Sequence, residues 1–263
     1  MFINNINPIL FSLGPFGVRY YGLVYSLGFL ITYLFLRHHS KKGSLKLTEE
    51  QLDSFFLWLI IISIFMARFF EVFVYNFSEY SSNLLEFFYI WHGGMAFQGG
   101  IIGAVLVTVF FCRRYKIKFY DLADLLVIPA TLALFFGKLA NYTNSELYGR
   151  ITDPISTPWC VVFVKVDSYC RHPAQIYEAI SVLILFSVLL WIYLYQRKHK
   201  KHHAGTIFWA FIGLYGLLRF LLTFLRDEPL YLGLNVGQWT SLAMIVVAGW
   251  FMYHIWTHKS KNI

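Results

Sequence analysis

Leu52 to Tyr75 reads LDSFFLWLIIISIFMARFFEVFVY, an apolar run interrupted by charge only at Asp53, Arg68 and Glu71. About 20 such residues in a helix cross a hydrocarbon core of roughly 30 Å. Continuous rather than alternating apolarity points to a helix and not to a barrel strand, and a helix satisfies its own backbone groups in lipid. Six more runs of the same kind flank it: Gly17 to Leu36, Gly93 to Cys112, Tyr120 to Ala140, Ala174 to Tyr195, Ala204 to Leu225 and Val236 to Trp256. Composition agrees, since 58% of the 263 residues are apolar and 14% charged, against roughly 25% charged in soluble domains. The expectation is an all-α polytopic membrane protein, a single integral domain over residues 1–263 with seven transmembrane helices.

The 22 Lys and Arg residues are unevenly placed: 14 fall in segments on one side of these spans, 4 on the other, and 4 within spans. The positive-inside bias then puts the N-terminus outside and the C-terminus in the cytoplasm of a cell (plasma or inner) membrane protein. It also accounts for the net charge of +8 and for the basic stretch Arg197-Lys198-His199-Lys200-Lys201-His202-His203. That stretch, with Arg113, Arg114, Lys116 and Lys118, reads as solvated cytoplasmic charge touching anionic lipid heads, not as a nucleic-acid patch or a metal tract. No basic segment precedes the first span, which is expected to remain as an anchor.

Residues 141–173 form the longest outer segment and are expected to build a small extracytoplasmic lobe. It holds Cys160 and Cys170, in a compartment that permits disulfides, around a short strand-like stretch from Trp159 to Lys165. Paired or separate thiols are equally compatible with the spacing. The third cysteine, Cys112, stands alone at the end of the third span.

Charges inside a bilayer are expensive, at least about 2.5 kcal/mol each at the centre, so they mark either pairing or function. Arg19, Arg68, Glu71, Lys138 and Arg219 all fall within the spans. Arg19 lies near a span end and is expected to snorkel. Arg68 and Glu71, at i and i+3, suit a mutual ion pair or a ligand equally. Lys138 and Arg219 have no acidic residue one turn away, so they point to an anionic ligand on the outer side, with pairing to Glu71, Glu146 or Glu178 as the alternative.

Two glycine-rich segments add to this. Trp91-His92-Gly93-Gly94-Met95-Ala96-Phe97-Gln98-Gly99-Gly100-Ile101-Ile102-Gly103 opens the third span. Gly99 and Gly103 fit GxxxG helix packing, whereas His92 and Gln98 bring polar groups to a membrane entrance and suggest a site. Gly137-Lys138-Leu139-Ala140-Asn141-Tyr142-Thr143-Asn144-Ser145-Glu146-Leu147-Tyr148-Gly149-Arg150 concentrates donors and acceptors at a span end.

At these residues the chain resembles the phosphatidylglycerol–prolipoprotein diacylglyceryl transferases. Gly137, Ala140, Asn141, Asn144, Glu146 and Gly149 match the family pattern G-R-x-[GA]-N-F-x-N-x-E-x-x-G, and the third-span segment is similar to its H-G-G box. Tyr20-Tyr21-Gly22, Arg68, Arg171-His172-Pro173-Ala174-Gln175-Ile176-Tyr177-Glu178, Arg219 and Gly237-Gln238 extend the likeness along nearly the whole chain. The resemblance implies transfer of a diacylglyceryl group from phosphatidylglycerol, or a related anionic glycerophospholipid, to the cysteine thiol of a lipobox-containing preprolipoprotein signal peptide, releasing glycerol phosphate. Lys138 and Arg219 would then steady the charge growing on the departing phosphate. Asn141, Asn144 and Tyr21 would act as neutral donors, Glu146 would orient them or the glycerol hydroxyls, Arg68 would bind substrate, and Gly149 and Arg150 would position the peptide.

Three positions depart from the family pattern: Gln98 where the H-G-G box carries histidine, Lys138 where the motif carries arginine, and Thr223 where glutamate is common. Glutamine is no general base, and His92 is the imidazole expected to stand in. A lipid-binding relative acting on a different lipid or acceptor is the alternative these departures leave open. A transporter, resting only on the intramembrane charges, lacks the internal repeat expected of one. No metal, nucleotide or other cofactor motif is present.

Overall fold

The computed structural model describes residues 1–13, 16–200 and 203–257. In chain order come β1 (Phe2–Asn4), β2 (Ile9–Leu13), β3 (Phe16–Arg19), α1 (Tyr20–Lys41) and α2 (Glu49–Phe69), which passes into a π-helical turn over Phe70–Tyr75. A short α3 (Phe77–Tyr80) and two 3-10 turns, Leu84–Phe88 and Ile90–His92, lead to α4 (Phe97–Arg114) and α5 (Phe119–Asn144). Then follow β4 (Val161–Phe163), β5 (Cys170–Arg171), α6 (Ala174–Lys198), α7 (Thr206–Thr223), β6 (Leu230–Tyr231), β7 (Leu234–Asn235) and α8 (Val236–Thr257).

Among the described residues, six helices are long and apolar enough to cross a membrane: α2 with its π turn, α4, α5, α6, α7 and α8. At most 39% of any span's apolar window is buried, so most of its apolar surface faces outward, as lipid requires and water does not permit. The protein is a mostly helical, polytopic membrane protein. α1 has 22 residues but ends in His38, His39 and Lys41 just after Arg37, and does not count among the six.

Several boundaries differ from those read in the sequence. The first helix starts at Tyr20, because Gly17 to Arg19 pair with Ile9 to Leu13 in the β2–β3 hairpin. Arg19 is therefore an exposed strand residue rather than a charge within a helix. α4 starts at Phe97 instead of Gly93, since Gly93 and Gly94 take φ values of 88° and 71° that no helix accommodates. α5 continues four residues past Ala140 and draws Asn141 and Asn144 onto the helix.

The chain divides into two compact units, Met1–Thr32 with Asp124–Ile263 and Tyr33–Ala123. In the first, the buried Asp124 carboxylate on α5 accepts from the backbone N–H groups of Gly205 and Phe208. It thereby caps the start of α7 from a different helix. A three-stranded sheet in the order β1-β4-β5 forms the lobe, with β1 parallel to β4 and β4 antiparallel to β5. A disulfide joins Cys160 to Cys170 at its base. The N-terminal strand escaped the sequence reading. It is held by the Met1 ammonium on the Pro158 carbonyl at 2.7 Å and by Asn4 Nδ2 on the Tyr142 carbonyl at 2.7 Å.

In the second unit α2 opens with a reciprocal capping box, Thr48 with Gln51. Its backbone meets α4 so closely that a Cβ at Gly99 would stand 2.2 Å from the Met66 carbonyl oxygen, and one at Gly103 2.8 Å from that of Ile62. The GxxxG spacing is a packing device here, as expected.

Candidate active site

Lys138 and Asn141 lie at i and i+3 near the end of α5, and Gln175 and Glu178 stand in the same relation in the first turns of α6, so each pair shares a helix face. The two faces meet. Lys138 Nζ sits 2.5 Å from Glu178 Oε2, off the axis of a directed hydrogen bond. Glu178 Oε1 is 3.4 Å from Arg226 Nη1, whose guanidinium also approaches Glu228 and donates to the Leu147 carbonyl. One buried carboxylate thus serves two cations. Of the two readings open for Lys138, an anionic ligand or a carboxylate from another helix, the structure shows the second, with Glu178 as the partner.

Arg219 on α7 is different. Among the described residues its guanidinium has no hydrogen bond or ion pair, and it lines a small cavity of about 10 Å³, room for roughly one water, with Lys138, Glu178, Ser181, Tyr215 and Leu222. Thr223, one turn on, turns its hydroxyl back to the Arg219 carbonyl and leaves the guanidinium alone. Arg226 had no role in the sequence reading. It lies in the turn after α7, beyond the helix end at Thr223, where helical spacing gives no signal.

The segment after α5 is tightly determined. Ser145 and Leu147 take φ of 60° and 57°, a conformation that non-glycine residues hold only when their surroundings compel it. Gln175, fully buried, donates from Nε2 to the Glu146 carbonyl at 2.6 Å. Asn144 Nδ2 reaches the Glu146 carboxylate at 3.3 Å, and the Tyr21 hydroxyl interacts with that carboxylate as well. The side-chain oxygens of Asn141, Asn144, Ser145 and Gln175 are buried without a hydrogen-bond partner in the protein. So many open polar atoms in one neighbourhood are costly unless something else binds there. Gly149 donates to the His172 carbonyl at 2.9 Å, and Arg150 N–H to that of Leu225 at 2.9 Å. A Cβ at Gly149 would lie 2.7 Å from His172 and 2.8 Å from the Leu225 carbonyl oxygen, so only glycine fits between them.

Tyr21, Lys138, Asn141, Asn144, Glu146, Gly149, Arg150 and Arg219 belong to the first compact unit; Arg68, His92 and Gln98 belong to the second. Arg68 is 1% exposed. Its Nε donates to the Phe87 carbonyl, Nη1 to those of Gly93 at 2.6 Å and Gly94 at 2.9 Å, and Nη2 to that of Glu86. The ion pair with Glu71 that the spacing allowed is absent; Glu71 accepts from Asn76 instead. Backbone carbonyls delivered by the Gly-Gly turn outbid it, and a Cβ on Gly94 would strike Nη1 at 2.9 Å. Gln98 is exposed on the first turn of α4. The His92 side chain lies outside the described residues.

Lys138 and Arg219 on one cavity, with the hydroxyl-bearing Ser181 and Tyr215 in its lining, suit an anionic group that gains charge during reaction. A family model described as prolipoprotein diacylglyceryl transferase matches residues 8–254. Curated relatives called phosphatidylglycerol–prolipoprotein diacylglyceryl transferase include one from Geobacter sulfurreducens, 38% identical over 90% of this chain and 88% of the relative. One from Rickettsia africae is 34% identical over 94% and 96%, and one from Sinorhizobium medicae 34% over 95% and 90%.

Proposed function

The chain belongs to the prolipoprotein diacylglyceryl transferase family, and we propose that it moves a diacylglyceryl group from phosphatidylglycerol to the lipobox cysteine thiol of a preprolipoprotein. The thiol sulfur attacks the glyceryl carbon bonded to phosphate. A C–S bond forms as the C–O bond breaks, the electron pair passes to the phosphate oxygen, the thiol proton is taken up by the departing phosphate, and glycerol phosphate leaves. The observation that carries this reading is the cavity where Arg219 keeps all its donors open beside Lys138. A guanidinium in a low-dielectric pocket stabilises a phosphate more as its charge grows than it would in water. The buried, unpartnered oxygens of Asn141 and Asn144 and the Glu146 carboxylate would order the glycerol head group, and Gly149 and Arg150 would receive the peptide.

The same reading includes α1 as a seventh span, the N-terminus and lobe outside, the C-terminus in the cytoplasm, and residence in the plasma membrane as one integral domain. The charge distribution supports it. Reporter fusions after Lys198 and in the 150–170 loop test it, the first expected cytoplasmic and the second external.

The decisive test places purified protein in phosphatidylglycerol liposomes with a lipobox peptide and reads the thioether-linked diacylglyceryl adduct by mass spectrometry. An adduct that disappears in Lys138→Ala and Arg219→Ala is expected. Lys138, already neutralised by Glu178, favours the second reading of a relative that binds lipid and acts on another acceptor. Lipid binding without adduct would select it.

A further inference from the structure

His172 precedes α6 by one residue and is held from both sides. Its backbone N–H donates to the Arg150 carbonyl at 3.1 Å and its own carbonyl accepts from Gly149 at 2.9 Å. The imidazole meets α6 through Tyr177, with Nδ1 3.3 Å from the phenolic oxygen. That oxygen in turn accepts from Trp159 Nε1 at 2.6 Å.

The direction of this relay follows from donor chemistry. An indole N–H only donates, so the tyrosine oxygen accepts from it and keeps its own O–H to give. The acceptor within reach is His172 Nδ1. A neutral imidazole that accepts at Nδ1 carries its proton at Nε2. Burial and the nearby charge of Arg150 both push the His172 pKa down, which favours the neutral ring. Among the described residues Nε2 has no partner.

The surroundings indicate what Nε2–H meets. Trp159, which closes the relay, and Ile151, Ile155 and Tyr169 elsewhere on the lobe are large exposed hydrophobic side chains, and an uncharged donor on a lobe with such a surface suits a main-chain carbonyl better than a phosphate. The cations suited to phosphate, Lys138, Arg219 and Arg226, are gathered elsewhere around Glu178 and its cavity. We infer that His172 is a peptide-binding residue, its Nε2–H set by the Trp159–Tyr177 relay to donate to a backbone carbonyl of the extended, apolar acceptor peptide beside Gly149 and Arg150. This rests on the transferase reading.

Steady-state transfer with peptide and phosphatidylglycerol varied separately tests it. His172→Ala keeps the Cβ that packs on Gly149 and removes the donor. It should raise the peptide KM about tenfold, the loss of one well-placed hydrogen bond, with kcat and the phospholipid KM unchanged. His172→Gln restores an N–H near the Nε2 position without a titratable group and should recover most of the peptide KM. Tyr177→Phe, which frees the ring to take the other tautomer, should raise the peptide KM by less than His172→Ala. A His172→Gln enzyme as impaired as His172→Ala, or a fall in kcat, overturns the donor role in favour of a proton acceptor. A rise in the phospholipid KM overturns the assignment to peptide. Equilibrium binding of the same lipobox peptide to wild type and His172→Ala in nanodiscs without phosphatidylglycerol reads the contact with no chemistry. If wild type forms no adduct yet His172→Ala weakens peptide binding, the transferase reading fails and the contact stands; equal binding by both removes the contact.

Discussion

Arg68 and Arg219 are both arginines set within apolar helices, and the protein treats them in opposite ways. Arg68 is buried in a cage where four carbonyls take four of its five N–H groups. The cage exists because Gly93 and Gly94 accept positive φ and so turn their carbonyls to Nη1. Arg219 faces a cavity with its donors open, and the carboxylate that shares the lining, Glu178, is already committed to Lys138 and Arg226. A cation saturated by backbone fixes a loop in place. A cation left unsaturated keeps its interaction energy for a ligand, at a cost in stability that the ligand offsets when it binds.

That contrast breaks most easily at the cage. Arg68→Ala would leave the carbonyls of Phe87, Glu86, Gly93 and Gly94 without partners, each worth about 1–3 kcal/mol when buried unsatisfied. The expected result is loss of folded protein, read as yield of monodisperse material after detergent extraction. A well-folded Arg68→Ala would show that the cage is dispensable and reopen a substrate role for this residue. Arg219→Ala should do the reverse, folding normally but slowing transfer by roughly 10²- to 10³-fold, the usual effect of removing one preorganised donor to a developing anion. Normal folding with normal turnover would remove Arg219 from the reaction.

The sequence showed the difference between these arginines only in part. Helices were legible because apolar runs of span length have few other readings, and the ends that moved did so for local reasons: a hairpin took Gly17 to Arg19, and the Gly-Gly turn delayed α4. The donors at Lys138, Asn141, Asn144 and Glu146 were legible as a dense polar cluster where polarity is costly. Their partners were legible only as alternatives or not at all: Glu178 was one of three carboxylates open to Lys138, while Gln175 on the Glu146 carbonyl and Arg226 on Glu178 were not foreseen, because periodicity reports which face a residue occupies but not which helix it faces. The same limit hid the cage, because i, i+3 spacing offered Glu71 or a ligand equally while the carbonyls came from residues 18 to 26 positions away. β1 was hidden because a three-residue strand has no pattern of its own and forms only once β4 offers an edge.

Gly99→Ala sharpens the contrast at lower cost. Its Cβ would meet the Met66 carbonyl at 2.2 Å and the Ala67 backbone at 2.9 Å, so α2 and α4 must separate. Overpacking of this kind costs about 1–3 kcal/mol. Thermal stability in detergent should drop measurably, and transfer by the folded fraction should stay near wild type, because the strain falls on the unit that carries the cage.

The smallest expected effect is at the lobe. The Arg171 guanidinium, hydrogen-bonded to Asp167, holds that carboxyl below the usual carboxylate range, and burial with Arg150 lowers the His172 pKa. Both depressed values have the same sign. Each group contributes stability that is present above its unfolded pKa, about 6.5 for histidine and about 4 for aspartate, and is lost as pH falls through the folded value. Amides of residues 160–172 should therefore lose protection as pH is lowered from about 7.5 to about 2.5, after correction for intrinsic exchange, while those of α6 hold. Asp167→Asn should abolish the lower limb of that loss and leave the limb near the histidine range. The Cys160–Cys170 disulfide keeps the change local, so transfer should weaken through peptide affinity and not through turnover. Protection that is flat across this range would show that the lobe's ion pair is solvated rather than structural, and would place the whole pH dependence of the protein at its membrane cavity.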